Sequence, residues 1–221
     1  MQLDIDAVVG EVDDADIAGD YRLSARLAAV TRCVATNPSG SFPSVMNDAE
    51  LEGFYRFCSN PRVKPSEVLA SHLAKTRERC ADVARVLIVH DSTDFSFRVD
   101  GARTGLGRHR TTKQTFLGHV SLAVSADGSR LPIGVVGLHT WVRGEKPDGT
   151  EVDRWLNQIQ ASARALGLGQ KAIHVADREA DDYNLFAILT ATTIISSFEP
   201  ALIGGHSTVS DKSGKNYARS F

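Results

Sequence analysis

Two aspartates, each at the end of a short apolar run, are the residues of this sequence whose type and position could support chemistry. Asp91 follows the run Arg85–His90, and Asp177 follows the run Lys171–Ala176. Short runs that are rich in branched apolar residues are typical of buried strands. The two carboxylates are 86 residues apart in the sequence, so only the fold could bring them together at one edge of a sheet.

A pair of carboxylates held on neighbouring strands would favour a bound cation. Two negative charges at short range repel each other unless a cation lies between them. Carboxylate oxygens are hard ligands that suit Mg²⁺ or Mn²⁺, and two such ions about 3.5–4 Å apart could promote phosphodiester cleavage. In practice this chemistry needs a third carboxylate. Aspartates that cap helices or close turns are the alternative explanation when only the spacing is considered.

Helical patterns fill the first 85 residues. Asp20 can cap the free amides at the start of a helix, and residues 37–40 (Asn-Pro-Ser-Gly) would end that helix. Apolar residues at helical spacing form three stripes, namely Leu23, Leu27, Val30 and Val34, then Leu51, Phe54, Tyr55 and Cys58, then Val68, Leu69, His72 and Leu73. These patterns predict three or four helices before the first strand.

The pattern changes near Val86 to strands and helices. Strands are predicted at residues 85–91, 116–124, 131–138 and 171–176, with a hairpin turn at residues 126–129. A helix over residues 151–166 would turn five apolar residues inward: Trp155, Leu156, Ile159, Ala163 and Leu166. More helix is expected up to Leu189. The order predicts an α/β (α+β) chain in which a small helical domain precedes an α/β domain.

The composition excludes several classes of protein. The chain has 221 residues and a net charge of -2, so its overall charge does not indicate a nucleic-acid partner. Three cysteines without a CxxC motif indicate neither a disulfide framework nor a zinc site. The sequence contains no run of about 18 apolar residues, so no membrane span is predicted. The acidic residues at its beginning are not typical of a signal peptide. We therefore expect a cytoplasmic protein.

Six short motifs occur in the order in which one known family carries them. Residues 88–93 (Ile-Val-His-Asp-Ser-Thr) surround the first aspartate, and residues 177–181 (Asp-Arg-Glu-Ala-Asp) begin with the second. The other motifs are Gly19-Asp20 with Arg22, Arg26 and Leu27, then residues 52–57, then residues 60–63, then His119 with Gly137-Leu138-His139 and Trp141. On these motifs, from about Asp20 to Leu189, the chain resembles the bacterial insertion-sequence DDE transposases of the Tn-five type.

This resemblance implies a helical DNA-binding domain over residues 1–80 and an incomplete RNase H-like catalytic core over residues 81–190. The implied activity is cut-and-paste transposition, in which DNA is cleaved at the transposon ends and joined to a target. Asp91 and Asp177 would hold Mg²⁺ (or Mn²⁺), while Arg178 and Glu179 would orient the second carboxylate or form a structural salt bridge. The implied partner is double-stranded DNA at transposon ends, bound by a dimer of the full-length protein in the bacterial nucleoid.

The sequence departs from that family after about residue 190. The family's third carboxylate is a Glu in a Tyr-Arg-Glu-Lys pattern, which does not occur here, and neither Glu179 nor Glu199 fits it. We expect residues 191–221 to be an irregular tail that follows a frameshift or a premature stop near residue 190, and the chain to be truncated and inactive. The alternatives are a non-catalytic DNA-binding fragment or regulator of an intact transposase, and an unrelated metal-dependent phosphohydrolase that uses the same two aspartates.

Basic residues at two places could contact DNA phosphates. Arg22 and Arg26 lie four residues apart on a predicted helix, although a solvated helix face would look the same. A second group lies on a glycine-containing stretch that we expect to be a flexible loop: Arg103, Arg108, Arg110 and Lys113. An ordinary charged loop is the alternative there.

Three histidines and two tryptophans, in or next to the predicted strands and the helix over residues 151–166, are expected to pack against other side chains rather than to bind metal. His90 should point to the sheet face opposite Asp91, because successive residues of a strand alternate between faces. The same packing role, in the core or beside the site, is expected of His119, His139, Trp141 and Trp155.

Overall fold

The computed structural model describes residues 4–98, 103–109, 113–142, 151–167 and 172–176, single positions between 182 and 187, and two short strands near the end. The helices are α1 (Ile5–Gly10), α2 (Tyr21–Thr36), α3 (Phe42–Val45), α4 (Asp48–Cys58), α5 (Pro65–Ala81) and α6 (Glu151–Leu166). The strands are β1 (Val86–Arg98), β2 (Gly107–His109), β3 (Lys113–Ser125), β4 (Pro132–Trp141), β5 (Ala172–Val175), β6 (Val209–Ser210) and β7 (Asn216–Tyr217).

Five of these strands form one mixed sheet. β1 pairs antiparallel with β3 along its whole length and parallel with β5 on its other side. β4 and the short β2 pair antiparallel with the remaining edge of β3. Helices followed by a mixed sheet confirm the predicted α+β class. None of the described helices is both long and apolar enough to cross a membrane.

Helix α2 begins at the predicted cap, whereas the buried face of α4 differs from the predicted apolar stripe. The Asp20 side chain accepts a hydrogen bond from the backbone N–H of Arg22 and caps α2. In α4 the buried residue is Phe57, while Tyr55 and Cys58, both in the predicted stripe, are exposed. The reason is tertiary, because α4 turns the face that carries Gly53 and Phe57 toward α2.

Helix α5 joins the helical part to the sheet. Its buried residues Ser71, Thr76 and Cys80 are small, and α5 packs on β4 at Gly134, where an added Cβ would lie 2.2 Å from the Thr76 hydroxyl oxygen. From the other side, the Glu11 carboxylate accepts a hydrogen bond from Arg79 at 2.7 Å. The boundary predicted at residue 80 thus falls at the end of a helix that contacts both parts and remains a prediction.

The four predicted strands correspond to β1, β3, β4 and β5, whereas β2, β6 and β7 were not predicted. The first strand was predicted to end at Asp91, but β1 continues to Arg98 because β3 pairs with it as far as Lys113. The stretch expected to be a flexible loop contains β2, which pairs with the start of β3. In the tail expected to be irregular, β6 pairs with β7, and the other positions from 191 to 221 lie outside the described residues.

Helix α6 has the predicted bounds and covers one face of the sheet. Trp155, Ile159 and Leu166 are buried as expected. Gln158 and Ser162 are buried as well, which the apolar stripe did not predict. The helix ends at Gly167, whose φ of 85° is a left-handed conformation that glycine adopts at little cost.

Candidate functional site

Asp91 lies in the middle of β1, on the face of the sheet opposite α6. Its side chain is exposed, whereas that of the neighbouring His90 is only 2% exposed, as the alternation of a strand requires. The Thr93 hydroxyl, two residues further along the same face, lies 3.4 Å from one Asp91 carboxylate oxygen and can donate to it. The carboxylate is therefore presented to solvent from a rigid strand and is free to accept a ligand.

The register between β1 and β5 is the geometric feature that concerns both aspartates. The two strands run parallel, and their matched pairs begin with Val86 and Ala172 and end with Val89 and Val175. Asp91 and Asp177 each follow that last pair by two residues. Asp177 itself lies outside the described residues, as do Arg178 and Glu179.

A buried chain of polar side chains lies directly behind Asp91 and ties β1 to β5. His90 Nε2 is 2.9 Å from His174 Nδ1 on β5, and His90 Nδ1 is 2.9 Å from the Ser121 hydroxyl on β3. The Gln158 amide of α6 donates to the same hydroxyl at 2.9 Å. Donation from Gln158 to Ser121, from Ser121 to His90 and from His90 to His174 satisfies every contact with neutral rings.

Burial keeps these histidines neutral. Burial, followed by the neighbouring His174 and His119, lowers the pKa of His90 well below its ordinary value. Burial also lowers the pKa of His174 to about 4. Because a charged imidazole is poorly solvated there, both rings are uncharged at neutral pH. The expectation that His90 packs in the strand is confirmed.

The other aromatic residues near the site behave differently from one another. His119 is buried, lies 2.9 Å from the Ser92 hydroxyl and meets the Trp155 ring edge-on at 4.4 Å, as expected of a core residue. His139, in contrast, is exposed, so of its two expected places, in the core or beside the site, the core is wrong. It lies near the outer end of β4, where its ring stacks on the half-buried Trp141 at 5.7 Å.

Of the two predicted metal ligands, the structure describes one, Asp91. Asp91 is an exposed carboxylate with oxygen ligands suited to Mg²⁺ or Mn²⁺. Nowhere in the described ranges do three or more His, Cys, Asp or Glu side chains come together so that they could hold a metal ion. Asp91 therefore fits the chemistry of the ion, while the rest of a ligand set would come from residues beyond those described.

An arginine-lined groove lies between α2 and α4. Its lining includes Arg22, Arg26, Arg56 and Asn60. Arg22 lies 3.3 Å from the Asp20 carboxylate, and hydrogen bonds from Arg22 are the largest cause that lowers the pKa of Asp20. Arg26 has no carboxylate within 4.0 Å in the described part of the chain. Its guanidinium lies over Gly53, where an added Cβ would be 2.6 Å from Nη1.

The predicted basic loop is only partly described. Arg103 is exposed, and its guanidinium donates to the carbonyl of Arg98 at 2.7 Å. Arg108 lies in β2 and Lys113 begins β3, while Arg110 lies outside the described residues. In the described part of the chain, Arg22 and Arg26 line the groove between α2 and α4, whereas Arg103 lies beside the end of β1.

Sequence reasoning missed the residues that support Asp91 from behind. Ser121, Gln158 and His174 sit in runs that read as an apolar strand or helix. The only available signal was a polar residue at an inward-facing position of a predicted strand or helix, since such a residue needs a hydrogen-bond partner.

The chain is similar to a known family and to a solved structure. Residues 6–63, about a quarter of the chain, match the transposase DNA-binding family. Among solved structures, a Mos1 transposase in a paired-end complex with the left transposon end is similar at 13% identity and a TM-score of 0.35. That match covers 79% of this chain and 57% of the other, so this chain spans little more than half of that protein's length. A TM-score of this size does not establish a shared fold.

Proposed function

We propose that this chain is part of a DDE transposase of the insertion-sequence type, in which Asp91 and Asp177 hold Mg²⁺ or Mn²⁺ for cleavage of transposon-end DNA. The parallel register of β1 and β5 carries this proposal. Both aspartates follow the pair Val89 and Val175 by two residues, so continued pairing would place their carboxylates side by side. An RNase H-like core is consistent with the three antiparallel strands, the crossover helix α6 and the parallel β5.

Each residue around Asp91 has a distinct role in this proposal. Bound metal would supply an activated water and charge neutralisation at the phosphate. Asp91 provides oxygen ligands, and the Thr93 hydroxyl orients one of them. The bond between His90 and His174 holds β1 and β5 in register from the opposite face without adding charge. Rigid support of this kind keeps metal-binding side chains in a productive geometry.

DNA binding is proposed for the arginine groove between α2 and α4. The groove lies within residues 6–63, which match the transposase DNA-binding family. Arg26 is the strongest candidate for a phosphate contact, because its charge is not neutralised by a carboxylate in the described part of the chain. Arg22 shares Asp20 with Arg62 and is therefore partly neutralised.

The third carboxylate, the truncation and the dimer remain predictions from the sequence. If the third carboxylate is missing, the chain retains DNA binding and loses cleavage, as expected of a non-catalytic DNA-binding fragment. The alternative of an unrelated phosphohydrolase requires cleavage without preference for transposon ends.

Cleavage of the element's own terminal DNA tests the catalytic part of the proposal. The full chain is incubated with Mg²⁺ beside three variants: Asp91→Ala, Asp177→Ala and Asp94→Ala. Asp94 is an exposed carboxylate of the same strand that faces the other way, so it is the matched control. Cleavage that is lost in the first two variants and kept in the third shows a complete site. Cleavage that survives Asp91→Ala contradicts the proposal, and binding without cleavage supports the fragment.

Salt-dependent binding tests the arginine groove. Arg26→Ala is compared with Arg32→Ala, an arginine of the same helix that pairs with Asp6 at 2.9 Å. Loss of one phosphate contact lowers the slope of log affinity against log salt by about one. We expect this decrease for Arg26→Ala alone, and equal slopes for both variants would rule out a role for the groove.

A further inference from the structure

An exposed aromatic surface continues the strand face on which Asp91 lies. Phe95 and Phe97 follow Asp91 at alternate positions of β1, so their side chains share its face. Phe116 is the β3 residue paired with Phe95. These three phenylalanines, here called the aromatic platform, lie where β1 and β3 continue past the paired residues of β5, with β2 on the other edge of β3.

The platform is ordered although it is open to solvent. The Phe95 and Phe116 rings are stacked at 4.7 Å with 11° between their planes, and Phe97 stacks on Phe116 at 6.0 Å. Phe95 and Phe97 are nevertheless 42% and 39% exposed. Gly118 makes the arrangement possible, because an added Cβ would lie 2.9 Å from the Phe95 ring.

Positive charge accompanies the rings. The Arg103 guanidinium lies 5.8 Å from the centre of the Phe97 ring. Residues 98–113 contain five bases (Arg98, Arg103, Arg108, Arg110 and Lys113) and one acid, Asp100. Flat aromatic faces beside arginines match the bases and phosphates of a nucleic acid, whereas an apolar protein partner would not need the positive charge.

We propose that the aromatic platform binds unpaired bases at the DNA end on which Asp91 acts, by stacking them on Phe95 and Phe97. This inference rests on the proposed function. Asp91 is four residues from Phe95 and six from Phe97, which at about 3.3 Å per residue is about 13–20 Å. A DNA strand held at Asp91 would therefore reach the platform within a few nucleotides, about four to six at the duplex rise of about 3.4 Å per nucleotide. Stacking does not depend on base identity, so the platform would accept frayed ends of any sequence.

The test compares two DNA duplexes of one core sequence, one blunt and one with an unpaired tail of about six thymidines. Binding by the full chain is measured by fluorescence anisotropy. Loss of one stacked base costs about 1–3 kcal/mol, a factor of about five to 150 in affinity. We expect Phe97→Ala to weaken binding of the tailed duplex by a factor in this range and to leave binding of the blunt duplex within about twofold.

Two further variants separate stacking from a loss of structure. Leu131→Ala removes another exposed apolar side chain, 63% exposed, in the turn between β3 and β4, and should change neither affinity. Phe97→Trp keeps a flat ring and should retain affinity for the tailed duplex, with tryptophan fluorescence quenched when that duplex binds. Thermal unfolding confirms that each variant is folded.

Failure of this inference differs from failure of the proposed function. If Phe97→Ala weakens neither duplex, or weakens both equally, the platform does not bind unpaired bases. The proposed function survives that result if Arg26→Ala still reduces the salt dependence of binding. If the unaltered chain binds neither duplex, both proposals are wrong.

Discussion

Even- and odd-numbered residues of β1 point to opposite faces of the sheet, and their surroundings differ. Val86, Ile88 and His90 are at most 2% exposed beneath α5 and α6. Leu87 and Val89 on the other face are half-buried, and from Asp91 onward that face is exposed. One strand therefore supplies both a core and an open surface. Packing and buried hydrogen bonds on the first face hold the backbone that presents the carboxylate on the second.

The largest loss of stability is expected from a substitution on the covered face, which is the face of the sheet beneath α5 and α6. Trp155 of α6 is 2% exposed and packs on both His90 and His119. Trp155→Ala should lower the free energy of unfolding by about 3–5 kcal/mol through lost burial and a cavity. Phe97→Ala, on the open face, should cost less than about 1 kcal/mol. Urea denaturation measures both, and similar losses would show that the two faces contribute equally to stability.

The second largest effect is expected from acid, which should lower the free energy of unfolding through the covered face. The pKa of His174 is lowered from its ordinary 6.5 to about 4, so the unfolded chain binds a proton more readily than the folded one. Stability is full above about pH 6.5 and falls as the pH drops toward 4, by about 3 kcal/mol for this group. Protonation of both His174 and His90 would also leave two donors facing each other.

A pair of histidine variants checks the source of that loss. His174→Gln should be less stable at pH 7 and lose less stability between pH 6.5 and 4 than the unaltered chain. His139→Gln removes an exposed ring and should leave the pH dependence unchanged. An unchanged pH profile in His174→Gln would mean that another group causes the acid sensitivity.

The smallest stability effect is expected at the residue with the largest proposed role. Asp91 is exposed, and its one described side-chain contact is a 3.4 Å hydrogen bond from Thr93. Asp91→Ala should change the free energy of unfolding by no more than about 0.5 kcal/mol. A combined loss of cleavage and unchanged stability would confirm that the open face serves function. A loss of several kcal/mol would instead assign Asp91 a structural role.

Predictions from the sequence were correct where the residues of a single element determine its structure. The bounds of α6 and the turn after β3 were predicted correctly. They failed where contact with another element determines the structure. Helix α4 buries Phe57 rather than Tyr55 and Cys58, and β1 continues seven residues past Asp91 because β3 pairs with it. Of the proposed site, the sequence indicated Asp91, Arg22 and Arg26 but not the groove that Gly53 opens for Arg26.

By itself, the sequence determined the features that depend on neighbours a few residues away. Asp20 caps α2 because its carboxylate reaches an amide two residues on, and Gly167 ends α6 because glycine tolerates a positive φ. Tertiary structure alone decided the contacts between distant segments. The pairing of β1 with β5, the bond between His90 and His174 across 84 residues, and the exposure of Asp91 depend on which surfaces meet. Burial and strand pairing are properties of the assembled chain, so no local pattern encodes them.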